Sequence, residues 1–179
     1  MKIGFCGTMS VGKTTLVNAL KELTEFKGYT FRTERSKYLR DLGIPLNTDS
    51  TVKGQIVFLA ERTAELMNEN IITDRTVVDV MAFAQCSKSM SYLDKDHFIN
   101  LSTCLIPEYD YIFYISPEGV GIEDNGVRET DSKYRNEIDF TIIRFLDNHH
   151  QKIKNLIRLE GTTEERIKTV QEALFPIYL

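Results

Sequence analysis

The sequence predicts an α/β protein, one sheet of parallel strands with helices on both faces. Three observations carry that expectation. Short apolar runs alternate with amphipathic segments along all 179 residues. The first run leads directly into a glycine-rich loop that opens a helix. Charged residues then recur where later runs end, which is where open parallel sheets bind ligands.

The first run is Lys2–Cys6, and the loop after it is Gly7-Thr8-Met9-Ser10-Val11-Gly12-Lys13-Thr14, the G-x-x-x-x-G-K-T pattern of a Walker A phosphate-binding loop. Gly7 and Gly12 permit backbone angles closed to other residues, so successive N–H groups can turn toward a phosphate chain. Lys13 brings a positive charge to the β- and γ-phosphates and Thr14 offers a hydroxyl to Mg²⁺, with Thr15 continuing into the helix. The positive end of that helix dipole faces the same anion. An ordinary glycine-rich turn could share the spelling, but the apolar strand before it and Leu16, Leu20 and Leu23 at helical spacing after it supply the right context.

The remaining elements follow in order. A helix runs from Lys13 to about Glu25, and Tyr29–Thr33 alternates as a strand. Glu34–Leu42 is a short helix stopped by Gly43 and Pro45. A long helix spans Thr51 to about Asn68, with Ile56, Leu59, Leu66 and Met67 expected on its inner face. Ile71–Asp74 is a buried strand, Thr76–Ser87 and Tyr92–Cys104 are helices, and Asp110–Ile115 is the clearest strand. A polar loop then leads to a long helix, Ser132–His150, with Ile138, Ile142, Phe145 and Leu146 inward. Asn155–Leu159 is the last strand; Gly161 breaks it, and Thr162 with Glu165 has capping-box spacing for a final helix.

Composition narrows the class. At 179 residues with 42% hydrophobic and 27% charged, the chain fits a single globular domain, residues 1–179. No apolar run approaches the roughly 20 residues of a membrane span, and the start has no signal-peptide pattern, so no membrane partner and a cytoplasmic location are expected. A net charge of −4 counts against a broad nucleic-acid surface without excluding a local one. Cys6, Cys86 and Cys104 are too far apart for a Cys-x-x-Cys pair and are expected to be buried or half-buried thiols. His97, His149 and His150 have no ligand-spaced companions, which argues against a structural metal.

The strand ends supply the other candidates. Asp74 can hold Mg²⁺ with Thr14, or cap the helix that begins at Thr76. Arg75 can reach transferring phosphates or pair with a neighbour. Glu34 can act as the base that takes an acceptor proton, or simply suit a helix start. Gln55 can read a base edge or stand in solvent, and Asp79 is assigned a structural role. Residues 117–135, with Gly119, Gly121 and Gly126, have the make-up of a lid from which Arg128 and Arg135 close over phosphates; a surface loop with local ion pairs is the alternative.

Together the Walker A loop, Glu34, Thr73-Asp74-Arg75-Thr76, Asp124-Asn125-Gly126-Val127-Arg128 and Gly161-Thr162-Thr163-Glu164-Glu165-Arg166 resemble the P-loop nucleoside and nucleotide kinases, and among them the NadR-like, or AAA_28-type, kinase domains. The resemblance implies a P-loop NTPase three-layer sandwich with strand order 2-3-1-4-5, and ATP and Mg²⁺ as cofactors. It implies Glu34 as base, Asp74-Arg75 as the acid-arginine step, and Gly161, Thr162 and Thr163 beside the adenine of ATP. Asp74 replaces the glutamate common in deoxynucleoside kinases, while Ala82 and Gln85 loosely match a thymidylate-kinase pattern, so the acceptor is left open. A small nucleoside or nucleotide acceptor leads; ribosylnicotinamide and nucleic acid are alternatives, and a homodimer is also admitted. A regulatory switch is the weakest reading, because no Asn-Lys-x-Asp guanine motif is present.

Overall fold

A computed structural model describes residues 1–33, 36–118 and 132–176. Its centre is a five-stranded sheet in the order β2-β3-β1-β4-β5: β1 Lys2–Cys6, β2 Thr30–Arg32, β3 Ile71–Asp74, β4 Tyr111–Ile115 and β5 Leu156–Leu159. Every pair is parallel, with Phe5 opposite both Asp74 and Phe113. The expected strand order is therefore observed. All the carboxyl ends lie along one edge, so Cys6, Asp74, Ile115 and Leu159 share it.

The helices are α1 Lys13–Lys21, α2 Ser36–Asp41, α3 Val52–Glu65, α4 Val77–Cys86, α5 Tyr92–Ser102, α6 Ser132–Asn148 and α7 Thr163–Leu174. The period-2 alternation of β1 divides two cores. Ile3 and Phe5 face α1 and α7 with Leu16, Leu20, Val170 and Leu174; Cys6 faces the other side with residues of α3 to α6. Phe5 and Phe113 stack with ring centres 5.2 Å apart on neighbouring strands. Gly4 lets α4 approach β1, because a Cβ there would stand 2.8 Å from the Tyr109 ring and against Thr76.

Three local expectations differ. The first helix stops at Lys21 rather than near Glu25, since Leu23 turns extended and a 3₁₀ turn, Thr24–Phe26, tucks Phe26 into the core. On α3, Leu59 and the C-cap Leu66 are buried, but Ile56 is 51% and Met67 81% exposed. The buried face of that helix holds Gly54, Gln55, Leu59, Arg62 and Glu65 instead. Cys6 and Cys86 are buried, whereas Cys104 is exposed. Among the described residues no helix is long and apolar enough to cross a membrane.

Candidate nucleotide site

The Walker A loop is anchored on both sides of the sheet. Met9 is buried in the α3–α6 core and Val11 in the α1–α7 core, so the loop's own side chains tie it down. Gly7 and Gly12 have φ of 148° and 86°, and Ser10 also takes a left-handed φ of 58°. The peptide chain thus reverses at Ser10 and again before α1, whose first backbone bond runs from Leu16 N to Gly12 O at 2.9 Å. Thr8 is buried and its hydroxyl donates to the Arg135 carbonyl at 3.0 Å; Thr15 is exposed.

Lys13 is buried and folded back on the loop, its Nζ donating to Gly7 O at 2.8 Å and Thr8 O at 2.7 Å. Burial first, then the nearby Arg75 charge, lowers its pKa to about 8. The lysine is therefore held beside the loop as a cation that gains from any anion placed there.

Asp74 ends β3 and is buried. Its Oδ2 accepts a short hydrogen bond from Thr14 Oγ1, and its Oδ1 has no partner among the described residues. A buried carboxylate oxygen without a donor is costly unless a cation or water completes it. Two hard oxygen ligands beside a phosphate loop fit Mg²⁺, which keeps several waters and takes the rest of its shell from phosphates. No group of three or more His, Cys, Asp or Glu able to hold a metal occurs among the described residues. The helix cap that Asp74 might have formed is made by Thr76 and Asp79, a reciprocal capping box at the start of α4.

Asp79 is fully buried and joins three parts of the site. Its Oδ1 accepts from Gly7 N at 3.2 Å and lies 3.7 Å from Arg75 Nη1; its Oδ2 accepts from Thr76 N at 2.7 Å and Thr76 Oγ1 at 2.9 Å. The loop entrance, the α4 N-terminus and Arg75 thus share one carboxylate. Arg75 has φ 122°, a conformation that costs a non-glycine residue roughly 1–3 kcal/mol. Its carbonyl accepts from Arg62 Nη1 at 3.4 Å, Arg62 pairs with Glu65 at 2.8 Å in a buried ion pair on α3, and the Arg75 guanidinium lies over the Phe83 ring at 4.9 Å.

Two arginines reach the loop from far along the chain. Arg135, in the first turn of α6, donates from Nε to Met9 O at 3.1 Å and from Nη2 to Ser10 O at 3.4 Å. Arg166, on α7, donates from Nη1 to Val11 O at 2.8 Å. Both are buried, and burial lowers the pKa of both guanidinium groups.

A family model described as AAA_28, AAA domain, matches residues 2–166. The chain belongs to the AAA_28 family. This AAA_28 domain shares its fold with deoxyadenosine kinase from M. mycoides with bound dCTP, at 20% identity and a TM-score of 0.70, covering 99% of this chain and 100% of that one. It also shares the fold of NadR in complex with NR, at 19% identity and a TM-score of 0.73, covering 95% of this chain and 50% of that one. A comparison with curated proteins finds no match. The AAA_28 family expected from the quoted residues is thus the family whose model matches, and the fold is the one shared with deoxyadenosine kinase and NadR.

Within the AAA_28 domain, the structure brings Thr14, Asp74, Arg75 and the loop residues Gly7 to Lys13 together at the carboxyl edge of the sheet. Glu34, Arg128 and residues 119–131 of the expected lid lie outside the described residues. Arg135 differs from expectation: it stands on α6 with its guanidinium on the loop's carbonyl side, because Met9 O and Ser10 O point there. Gly161 takes φ 77°, and Thr162 caps α7 in a capping box with Glu165; the loop Gly161–Thr163 lies just beyond β5. Gln55 is 2% exposed and lies on the buried face of α3 rather than in solvent. The loop contact of Arg166, which the sequence offers only as the end of the Gly161–Arg166 stretch, and the linking role of Asp79 are not foreseen from the sequence. The available signal was a charge on an apolar stripe: Arg166 lies one and two turns before Val170 and Leu174, both buried.

Proposed function

We propose that this AAA_28 chain is an ATP- and Mg²⁺-dependent kinase that transfers the γ-phosphate to a nucleoside, a nucleotide or a related small acceptor. The observation that carries the reading is Asp74: a buried carboxylate bonded to the Walker A threonine, with its second oxygen unpartnered and Arg75 next in the chain. Those features support a donor-phosphate site with a cation position, and Arg75 follows Asp74 beside the Asp79 carboxylate. The ligands named for the two similar structures, dCTP and NR, are nucleoside compounds, which supports this acceptor class.

In this reading the loop amides bind the phosphate chain and Lys13 leaves Gly7 O and Thr8 O to meet the β- and γ-oxygens. Mg²⁺, held by Thr14 and Asp74, would supply charge neutralisation at those oxygens when bound. Arg75 and Arg128 balance the charge that develops on the transferred group, and Glu34 takes the proton of an acceptor hydroxyl. Gln55 offers its buried amide, a donor and an acceptor together, to the acceptor's base. Gly161, Thr162 and Thr163 border the adenine.

The test is transfer from radiolabelled ATP to nucleosides, nucleoside monophosphates, ribosylnicotinamide and DNA. Label is expected on a nucleoside-type small molecule, and Lys13→Ala should abolish it. ATP cleavage no faster with any of these acceptors than with water alone would overturn the proposal. Label on DNA would move the acceptor to nucleic acid.

A further inference from the structure

Met9 O, Ser10 O and Val11 O are three successive carbonyls of the Walker A loop, and each accepts from a buried arginine. Arg135 takes the first two from α6, 126 and 125 positions away, and Arg166 takes the third from α7, 155 positions away. A trans peptide is planar, with its C=O and the next N–H pointing in opposite directions, and the described chain has no cis bond. Pinning the Met9 carbonyl therefore aims the Ser10 N–H to the other side of the loop. The Ser10 and Val11 carbonyls likewise aim the Val11 and Gly12 N–H groups.

We propose that Arg135 and Arg166 are positioning residues that preset the phosphate cradle by clamping its carbonyls from behind. They would not touch the nucleotide; they act through the Ser10, Val11 and Gly12 amides. The two come from helices on opposite faces of the sheet, so the clamp closes only when both layers have packed. It answers two demands at once. Three inward N–H groups leave three outward carbonyls that need donors in a buried place, and a positive charge behind each peptide polarises its N–H toward the anion. Packing also fits the role: a Cβ on Gly12 would stand 3.3 Å from Arg166 Nη1, so the loop and this arginine are in close contact. On the opposite side of the entrance, Asp79 holds the Gly7 N–H, which removes that amide from the cradle and fixes where it begins.

The inference rests on the nucleotide-binding half of the proposed function and is independent of the acceptor. The experiment measures binding of ADP to the whole chain by calorimetry and the backbone amide ¹⁵N shifts by NMR. Arg166→Met should weaken ADP about tenfold, the worth of one charge-assisted hydrogen bond, and should move the Gly12 amide shift most. Arg135→Met should move Ser10 and Val11 instead. A residue important only for folding would not divide its effect among the three amides in this pattern. If the methionine variants do not fold, Arg166→Lys and Arg135→Lys carry the test. Lysine lacks the planar fork, so ADP affinity should drop at least about threefold, with the same division of amide shifts. Wild-type affinity and unmoved shifts in any folded variant would overturn the clamp. Failure of the wild-type chain itself to bind ADP would overturn the nucleotide-site reading on which the clamp rests.

Discussion

Asp79→Asn should destabilise the fold more than any other one-atom change near the loop. The wild-type carboxylate serves two buried backbone donors through different oxygens, Gly7 N through Oδ1 and Thr76 N through Oδ2. Asparagine has a single acceptor oxygen. Whichever way its amide turns, an NH₂ group faces either the Gly7 N–H or the Thr76 N–H, and the Arg75 guanidinium 3.7 Å away loses an anionic neighbour. A buried donor left facing a donor costs about 1–3 kcal/mol, and losing the charge on the remaining bonds adds to that. The sum is about 2–4 kcal/mol. At roughly 2–4 °C per kcal/mol for a chain of this size, the melting midpoint should fall by roughly 5–15 °C. Urea denaturation with wild type and variant in parallel measures it, and an unchanged m-value would show that the unfolded state is not responsible. A loss below about 0.5 kcal/mol would refute the view that this carboxylate bridges the loop and α4.

Gly4→Ala should cost about 1–3 kcal/mol, because its new Cβ would meet Thr76 and the Tyr109 ring in a closed core; denaturation again reads it. Asp74→Asn should raise the Mg²⁺ concentration for half-maximal transfer about tenfold or more while leaving metal-free ADP affinity within a few-fold, as a Mg²⁺ titration would report. Lys13 has a pKa lowered to about 8 in the free loop, and bound phosphate raises it, so ADP binding above pH 8 must take up a proton. Without Mg²⁺ at pH 9, calorimetry in buffers of different ionisation heat should show an uptake of about 0.9 proton. ADP affinity should fall about tenfold per pH unit above 8, and Lys13→Arg, charged throughout, should remove both effects. Absence of uptake in the wild type would place the lysine elsewhere.

The strands and the donor loop were legible because both rest on strong local signals, while the strand order came only with the family resemblance. Ile71–Asp74 and Tyr111–Ile115 are runs too apolar for any place but a central parallel strand, and G-x-x-x-x-G-K-T has few uses. Asp74 could be read as a site residue because it ends such a strand. What periodicity misread was which way charged side chains face. On α3 the assumption that apolar residues point inward selects Ile56 and Met67, and both are exposed. The true inner stripe is Gln55, Leu59, Arg62 and Leu66, at spacings of four, three and four. Two of its four members are polar, so the apolar residues alone rotate the apparent face. The same inversion hid the loop contacts of Arg166 before Val170 and Leu174 and of Asp79 among the valines of α4, and it left Arg135 before Ile138 and Ile142 assigned to phosphates rather than to the loop carbonyls. Each is a polar group that only a folded partner can make affordable: a carbonyl for Arg166, two carbonyls for Arg135, two amides for Asp79. Those partners lie on the Walker A loop or on the α4 terminus beside it, at the carboxyl edge of the sheet. Charges on otherwise apolar faces therefore mark the helices that converge on this edge. Gln55, 2% exposed on the same α3 stripe, is the polar member of that set for which we propose the acceptor as partner.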